Sequence, residues 1–497
     1  MIPVFTAAEM RDREKRIFAS GVADEALVME AAGRAVAAVV SESWSTGLVA
    51  AAVGAGKNGG DAIIALRTLA ALGREVIAVP VGREGIPEEL TLGWPIPLGD
   101  ISSFRSAAVI IDGILGTGAS GAPREAHAEA IRAINAAGVP VVSVDGPSGL
   151  DLTTGTISGD VIRAAVTVTF GALKRGLLTG RGREQAGRIQ LAGVGFPPFE
   201  EVDTVAITNQ WAHVHLPRIS PDAHKGSVGL VAIVAGGKGF GGAAVLTAMG
   251  ALRAGAGGVR IFSAGENRVV LNTAVPEAVF INRESDEVAR AAAGARAAVI
   301  GPGIGTDDDG LRCLTRFLEH FEGSFVLDAD ALTLLARNPE LLTPTMAGRC
   351  VMTPHPGELA RLLGAPIAEV LRDRFASARL AAEQFGCVIL AKGTPSLTVS
   401  PTGFTIVNLT GHAGVATAGM GDTLAGIVGT FLAGGMTPRD AAAVGIHFAG
   451  RAAEVAGRGR GLLPRDVAEA LPGVLLFPLR DEPESPPHPL VLEPPRG

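Results

Sequence analysis

The Gly-rich segment Gly54–Asp61 follows an apolar run, Leu48–Val53, and precedes a helix-like stretch. Glycines let a ligand approach the backbone closely, and a helix N-terminus offers free N–H groups to a phosphate. The spacing fits G-x-G-x-x-G, yet no acidic residue ends the next strand-like run, Glu75–Val81, where a dinucleotide fold places its ribose-binding carboxylate. Lys57 is followed by Asn58, which excludes a Walker loop. The segment predicts a different phosphate-binding turn, with a turn that only packs as the alternative.

Three further strand-like runs of the first half end in polar residues. Two are followed by Asp112–Gly118 and Asp145–Gly149, and the third leads to Lys174. The carboxyl ends of parallel strands meet at the sheet edge where open α/β proteins bind their ligands. We therefore expect these segments to lie at the same edge as Gly54–Asp61.

The polar side chains of these turns suggest two kinds of chemistry. Asn58, Asp112 and Ser148 offer hard oxygen ligands without any cysteine or histidine. Such a set suits a weakly held alkali cation better than a transition metal. Asp145 is then left to act as an acid or base beside a charged ligand.

The second half contains another series of Gly-rich turns after strand-like runs. The last of them, Gly419–Asp422, precedes an apolar helix, so that backbone N–H groups and the Asp422 carboxylate lie together. This arrangement suits phosphoryl transfer, in which N–H groups hold the phosphoryl group and a carboxylate accepts the proton of the attacking hydroxyl. The alternative is that Asp422 only caps the helix. The other turns are His224–Gly226, Gly236–Ala243, Gly301–Gly305, Asp328–Leu332, Thr353–Glu358 and Lys392–Ser396.

Two other side chains in this series have a candidate role and a plain alternative. Lys392 can hold nucleotide phosphates as a point charge, or it is an ordinary surface lysine. His355 stands between two prolines with Glu358 behind it, which positions it rigidly, or it is an ordinary loop histidine. The chain has only six lysines against 37 arginines, and most of the six lie in or beside Gly-rich turns.

The elements that position these residues follow from the alternation of strand-like runs, Gly-rich turns and helical stretches. This alternation predicts largely parallel sheets covered by helices, and Ala7–Ser41 predicts two leading helices. The pattern pauses over Gly195–Ile219, where prolines cluster, and we place a linker there. His213 and His215 lie in this segment, and because no third ligand is nearby we expect a surface linker rather than a metal site.

The amino-acid composition excludes several classes of function. The 497 residues, 47% hydrophobic, suffice for two to four domains. A net charge of −7, few aromatic residues and no tyrosine argue against a nucleic-acid partner. Three scattered cysteines indicate a reducing compartment, and the longest apolar stretches are interrupted by Lys238 or Asp422, so no membrane span is expected. We expect a cytoplasmic enzyme without a signal peptide, and a homo-oligomer.

Four separated signatures in the first half resemble the NAD(P)H-hydrate epimerase family, the YjeF N-terminal domain. They are Thr6–Met10, Asn58–Asp61, Asp112 with Gly116–Gly118, and Asp145–Gly149. The resemblance covers roughly residues 1–210 and implies a Rossmann-like α/β/α sandwich, with K⁺ bound by Asn58, Asp112 and Ser148. It implies that the hydrated cofactor contacts Lys57, Asn58, Gly59, Gly60, Asp61, Gly116, Thr117, Gly118, Ala119, Ser120, Gly121, Ala122 and the catalytic Asp145.

The turns of the second half together resemble the ADP/ATP-dependent NAD(P)H-hydrate dehydratase family, a ribokinase-like α/β/α fold. The resemblance spans roughly residues 215–475. It implies that Asp422 is the catalytic base, that Mg²⁺ accompanies ADP or ATP, and that phosphorylation of the hydrate's hydroxyl followed by loss of phosphate restores NADH or NADPH. It implies hydrate contacts at Ala243, Gly303, His355 and Asp422, and nucleotide contacts at Lys392, Gly393, Thr394, Pro395, Ser396 and Gly421.

These resemblances predict an α/β protein of two domains that repairs hydrated nicotinamide cofactors. The first half would interconvert the R and S hydrates of NADH and NADPH, and the second would dehydrate the S form. The Pro- and Glu-rich residues 478–497 predict a disordered tail. The alternative is a ribokinase-like kinase of a small alcohol, preceded by a non-catalytic ligand-binding module.

Overall fold

The computed structural model describes residues 1–285, 288–476 and 490–493. The chain divides into two compact units. The N-terminal unit comprises Ile2–Val202 together with residues 490–493, and the C-terminal unit begins at Asp203. Each unit is an α/β structure, as the sequence predicts.

The N-terminal unit is built on a sheet with the strand order β19-β8-β6-β5-β4-β2-β3. Its neighbouring strands are parallel except at the edge, where β19 runs antiparallel to β8. A separate parallel pair joins β1 to β7. The strands are β1 Ile2–Phe5, β2 Val49–Val53, β3 Val76–Pro80, β4 Val109–Gly113, β5 Val141–Val144, β6 Val166–Phe170, β7 Leu173–Lys174, β8 Arg188–Ala192 and β19 Leu490–Leu492.

The C-terminal unit contains the sheet order β12-β11-β10-β13-β14-β15-β16-β17-β18-β9. Strands β16, β17 and β18 form an antiparallel meander, and the other neighbours are parallel. The strands are β9 Thr204–Ala206, β10 Leu230–Val234, β11 Gly258–Ser263, β12 Val279–Asn282, β13 Ala297–Ile300, β14 Ser324–Leu327, β15 Cys350–Met352, β16 Val388–Ala391, β17 Ser396–Val399 and β18 Thr405–Asn408.

Helices connect the strands in both units. None of those in the described residues is long and apolar enough to cross a membrane. The helices of the N-terminal unit are α1 Ala7–Ala19, α2 Glu25–Ser43, α3 Lys57–Ala71, α4 Glu88–Thr91, α5 Glu125–Ala137, α6 Arg175–Leu178 and α7 Gly180–Gln185. Those of the C-terminal unit are α8 Asn209–Val214, α9 Lys225–Val228, α10 Gly241–Arg253, α11 Arg268–Ala274, α12 Val288–Ala292, α13 Asp308–His320, α14 Asp330–Arg337, α15 Pro344–Ala347, α16 Pro356–Leu363, α17 Ile367–Arg372, α18 Arg374–Phe385, α19 Met420–Ala433, α20 Pro438–Ala456 and α21 Pro464–Leu475.

Local sequence explains why these elements form where they do. Strand β2, which lies between β4 and β3, reads Val-Ala-Ala-Ala-Val and is buried along its whole length, as a parallel strand covered on both faces should be. Helix α1 begins with a capping box, in which Thr6 and Glu9 satisfy each other's backbone N–H groups. The two helices predicted within Ala7–Ser41 are confirmed as α1 and α2.

The structure differs in three details from the expected chain organisation. The segment Gly195–Ile219 is not a plain linker, because it contains β9, which pairs with β18, and α8. The units divide between Val202 and Asp203, within the segment where the boundary was expected, so residues 203–210 are part of the C-terminal unit. The predicted disordered tail lies largely outside the described residues, but Leu490–Leu492 forms a strand against β8, since its apolar side chains can extend a sheet edge.

Candidate functional site

A buried aspartate, Asp112, lies at the strand ends of the N-terminal unit. Its Oδ1 accepts the Ser148 hydroxyl at 2.6 Å, and its Oδ2 accepts the Ser148 amide at 2.9 Å. The Leu115 carbonyl oxygen lies 3.4 Å from this hydroxyl and also accepts Asn58 Nδ2 at 3.2 Å. Asn58 Nδ2 donates in addition to the Val144 carbonyl oxygen at 2.5 Å. The structure thus brings together all three residues predicted to bind a cation.

Within the part of the chain that the structure describes, the Asp112 carboxylate has no cationic partner. Burial raises its pKa, against the opposing effect of its bonds to Ser148 and Ser143. Its hydrogen-bond donors among the described residues are all neutral. A buried carboxylate that meets only neutral donors has a cost in solvation, and a bound alkali cation would offset that cost.

Asp145 forms a buried ion pair that the sequence did not predict. Its Oδ1 accepts three donors: the Lys174 ammonium group, the Thr169 hydroxyl at 3.0 Å and the Phe170 amide at 3.3 Å. Lys174 Nζ also donates to Thr169 Oγ1 and to the Phe170 carbonyl oxygen. In the described residues no donor reaches Asp145 Oδ2. One carboxylate oxygen is therefore fixed in place, and the other is available for proton transfer.

Two more carboxyl groups interact electrostatically with this ion pair. Asp61, in the second turn of α3, is buried, and burial followed by the charge of Asp145 raises its pKa well above the usual range. Burial likewise raises the pKa of Glu14 on α1, although Lys174 opposes the increase. The backbone of Asp145 has a φ of +65°, a conformation that residues other than glycine adopt mainly at functional sites. Clustered acids of this kind are typical of a site that exchanges protons.

The other predicted residues of this unit form the two turns around Asn58. A Cβ atom on Gly59 would lie 2.0 Å from the Gly54 carbonyl oxygen, so this position requires glycine, and one on Gly116 would lie 2.2 Å from Asn58 Oδ1 and would displace that side chain. Lys57 forms an ion pair with Glu25. Gly60 is buried behind this turn, whereas Thr117, Gly118, Ala119, Ser120, Gly121 and Ala122 form a partly exposed loop after β4.

The C-terminal unit gathers charged side chains from three strand ends. Lys392 follows β16, and its Nζ donates to Asp328 Oδ1 at 2.8 Å and lies 3.9 Å from Glu358 Oε2. Burial alone would lower the pKa of Lys392, but Asp328 and Glu358 outweigh it and raise that pKa. Burial raises the pKa of Glu358 to about 7, against the opposing charge of Lys392.

Asp422 faces this cluster from the start of α19. Gly419 is the residue that caps α19, with a φ of +87°, so Asp422 is in the first turn and is not the cap. Burial, and then the charge of Asp328, raise the pKa of Asp422 to about 7, while Lys392 lowers it. A Cβ atom on Gly421 would lie 3.1 Å from Lys392 Nζ, which shows how closely the helix start approaches the lysine.

The N–H groups at this helix start differ from one another. The Met420 amide donates to the Thr417 carbonyl oxygen at 3.3 Å, so it belongs to a turn. The amides of Gly421 and Asp422 lie in the first helical turn, where the helix itself supplies no acceptor. We therefore expect these two amides, rather than all of Gly419–Gly421, to hold a phosphoryl group.

The remaining predicted hydrate contacts lie on neighbouring turns. A Cβ atom on Gly303 would lie 3.1 Å from Ala243 Cβ and 2.9 Å from Phe240 Cβ, so these turns are in close contact. His355 caps α16, because its Nδ1 accepts the backbone N–H groups of Gly357 and Glu358. Burial, then the charge of Lys392, lowers the pKa of His355. His355 thus holds the start of α16 in place, and its side chain is half exposed.

The predicted nucleotide loop, Lys392–Ser396, connects β16 to β17. The Ser396 hydroxyl donates to the Gly393 carbonyl oxygen at 3.0 Å, and the Gly393 amide lies 3.3 Å from Ser396 Oγ. Gly393 and Thr394 are exposed, and Pro395 is buried. Gly393 therefore lies on the solvent-exposed side of the loop, and Lys392 and Gly421 lie on its partly buried side.

We expect the rate of the C-terminal reaction to rise as pH increases through about 7. Below that pH Asp422 is protonated, because its pKa is raised to about 7, and it cannot accept a proton. The kcat/KM profile of the free enzyme measures this ionisation. Glu358→Gln removes a negative charge that raises the pKa of Asp422, so it should move the rise to lower pH. A profile that stays flat through neutrality would contradict this assignment.

Four residues near the reacting groups were missing from the predicted sites. Lys174 and Thr169 hold Asp145, and Asp328 and Glu358 surround Lys392. Lys174 had a visible signal, since it is one of few lysines and follows a predicted strand. The pair His213 and His215 lies in and beside α8, and in the described part of the chain no cluster of His, Cys, Asp or Glu side chains is arranged to hold a metal.

Family models match both units. The model of the YjeF-related protein N-terminus matches residues 25–176, and the model described as NAD(P)H-hydrate dehydratase matches residues 231–473. These matches confirm both resemblances. The second model covers the turns that carry Lys392 and Asp422, and the first covers those of Asn58, Asp112 and Asp145.

Similar proteins carry both units in one chain. The bifunctional NAD(P)H-hydrate repair enzyme Nnr of Escherichia coli K12 is 38% identical over 435 residues, which is 84% of this chain and 83% of that protein. The corresponding protein of Moorella thermoacetica is 33% identical over 509 residues, covering 95% of this chain and 96% of that one. A crystal structure of a ribokinase-like superfamily protein from Enterococcus faecalis, 24% identical, matches with a TM-score of 0.51 and covers 56% of this chain and 98% of that one. This last likeness confirms the ribokinase-like fold.

Proposed function

This chain belongs to the family of bifunctional NAD(P)H-hydrate repair enzymes, and on that premise we propose how its two units share the repair of hydrated NADH and NADPH. The N-terminal unit is the epimerase, which interconverts the R and S hydrates. The C-terminal unit is the dehydratase, which returns the S hydrate to NADH or NADPH at the expense of ADP or ATP. The two reactions belong together because hydration produces both epimers and the dehydratase uses only one.

In the dehydratase, Asp422 is the proposed base. Its ionised carboxylate accepts the proton of the hydrate's hydroxyl as the hydroxyl oxygen attacks the terminal phosphoryl group of the nucleotide. The amides of Gly421 and Asp422 hold the transferred phosphoryl group, and Lys392 balances the negative charge of Asp328. Loss of phosphate from the ring carbon, together with loss of a proton from the adjacent ring carbon, then restores the double bond of the reduced nicotinamide. Mg²⁺ is expected to accompany the nucleotide.

In the epimerase, Asp145 is the proposed acid or base. Lys174 and Thr169 fix its Oδ1, so Oδ2 exchanges a proton with the hydrated ring. The turns Lys57–Asp61 and Gly116–Ala122 are proposed to contact the dinucleotide. Asn58, Asp112 and Ser148 would hold K⁺, which would supply positive charge beside the substrate phosphates.

The observation that carries the proposal is the raised pKa of Asp422 beside a lysine at a glycine-rich helix start. Its test incubates the full chain separately with each epimer of NADH hydrate, with and without ADP or ATP and Mg²⁺. We expect regeneration of NADH absorbance from both epimers when nucleotide is present, and interconversion of the epimers when it is absent. A stable phosphate ester of an alcohol, without NADH, would instead support the kinase alternative.

We expect Asp112→Ala to impair epimerisation and to leave dehydration of the S hydrate intact. The substitution removes the buried charge that we propose to attract K⁺, so the rate of epimerisation should lose its dependence on K⁺ concentration. Asp112→Asn, which keeps the shape and loses the charge, should behave in the same way. The measurement is the epimerisation rate in K⁺ compared with choline. Loss of both activities would indicate a folding defect, and unchanged K⁺ dependence would contradict the cation site.

A further inference from the structure

A guanidinium group lies directly behind the loop Lys392–Ser396. Arg374 begins α18, and its Nη1 donates to the Pro395 carbonyl oxygen at 2.8 Å. Its Nη2 donates to the Lys392 carbonyl oxygen at 3.0 Å and lies 3.4 Å from that of Ala391. One arginine therefore binds three carbonyl groups of the same turn.

This arginine keeps an unbalanced charge. Burial lowers the pKa of Arg374, and no carboxylate of the described residues opposes this effect. Its hydrogen-bond partners in the described residues are the carbonyl oxygens of the turn, and none is an anion. An arginine nevertheless stays protonated in proteins, so a positive charge is held beneath the loop at a cost in solvation.

The same contacts set the direction of the loop amides. In a planar trans peptide the C=O and the following N–H point in opposite directions. Because the Lys392 carbonyl points toward Arg374, the Gly393 amide points away from it. Gly393 has a φ of +146°, and a Cβ atom there would lie 2.4 Å from Arg374 Nη2. The absence of a side chain at Gly393 thus lets the guanidinium group approach the turn this closely.

We propose that Arg374 is a positioning residue for the nucleotide of the dehydratase. Its hydrogen bonds orient the loop Lys392–Ser396, and its unbalanced charge raises the positive potential behind the nucleotide phosphates. The inference rests on the proposed nucleotide-binding role of this loop. A polyphosphate is the chemical class that such a site favours, because the attraction grows with the negative charge of the ligand.

The test measures the affinities of the full chain for AMP, ADP and ATP by calorimetry in the parent, Arg374→Gln and Arg374→Lys. We expect Arg374→Gln to weaken ADP binding by about tenfold, as for the loss of one charge-assisted interaction. The loss should increase from AMP to ATP, and Arg374→Lys should recover most of it because the charge is kept. At saturating nucleotide, kcat for dehydration should change little, so that the effect appears in KM.

Arg379 supplies a matched control. It lies on the same helix, but its guanidinium contacts Asp203 and Thr204 and not the loop. Arg379→Gln should leave all three nucleotide affinities unchanged, and its thermal unfolding gives the stability reference for Arg374→Gln. Equal weakening for the three nucleotides without rescue by Arg374→Lys, or unchanged binding in Arg374→Gln, would overturn the proposal. Absence of nucleotide binding in the parent chain would contradict the dehydratase function itself.

Discussion

Asp422→Asn is expected to lower the rate of NADH regeneration from the S hydrate by about 10²–10⁴-fold, the usual contribution of a positioned general base. An alcohol is a poor nucleophile at neutral pH, so the hydroxyl of the hydrate needs a group that accepts its proton. Asp422 has the right pKa for this, about 7, and lies beside the Lys392 ammonium group. Nucleotide binding should be largely retained, because asparagine keeps the size of the side chain.

The geometry of α19 separates this role from helix capping. Gly419 occupies the capping position, and Asp422 follows three residues later. Asp440 has the same position in α20, three residues after the capping Thr437. Asp440→Asn is therefore the matched control, and we expect it to change stability modestly and the chemical rate hardly at all. If Asp422→Asn turns over as fast as Asp440→Asn, the carboxylate is not the base.

Asp145→Asn should reduce the rate of epimerisation by about 10²–10⁴-fold, again the range for general acid–base catalysis. The carboxylate has one oxygen saturated by three donors and the other free for the substrate. The amide of asparagine retains the shape but cannot exchange a proton at neutral pH. The measurement is the interconversion of purified epimers in the absence of nucleotide, followed by chromatography.

A second variant guards against a folding artefact. Asp145→Asn leaves the ammonium group of Lys174 buried without its anion, and removal of one partner from a buried pair typically costs about 3–5 kcal/mol. Combining it with Lys174→Met removes that buried charge. If Asp145→Asn were inactive only because it had unfolded, the double variant should regain activity. We expect the double variant to fold and stay inactive. Asp151→Asn, which affects only a neighbouring turn, should epimerise normally.

Several features of this protein could be predicted locally. The strand-like runs predicted at Leu48–Val53 and Glu75–Val81 are confirmed as β2 and β3, each within one residue at either end. Glycine turns mark positions where backbone passes close to backbone, as at Gly59, and a parallel sheet places the turns that follow its strands at one edge. For this reason the sequence alone predicted that Asn58, Asp112 and Ser148 form one site.

The sequence by itself thus determined the strands, the turns and the principal acidic residues of two α/β units, because these features depend on neighbouring residues. Only the tertiary structure decided which charges meet. Lys174 reaches Asp145, Arg374 reaches the turn after β16, and β9 joins the second sheet beside a strand from far along the chain. Such pairings depend on long-range register and on burial. A pKa of about 7 for Asp422 likewise arises from desolvation and from carboxylates that lie far away in sequence.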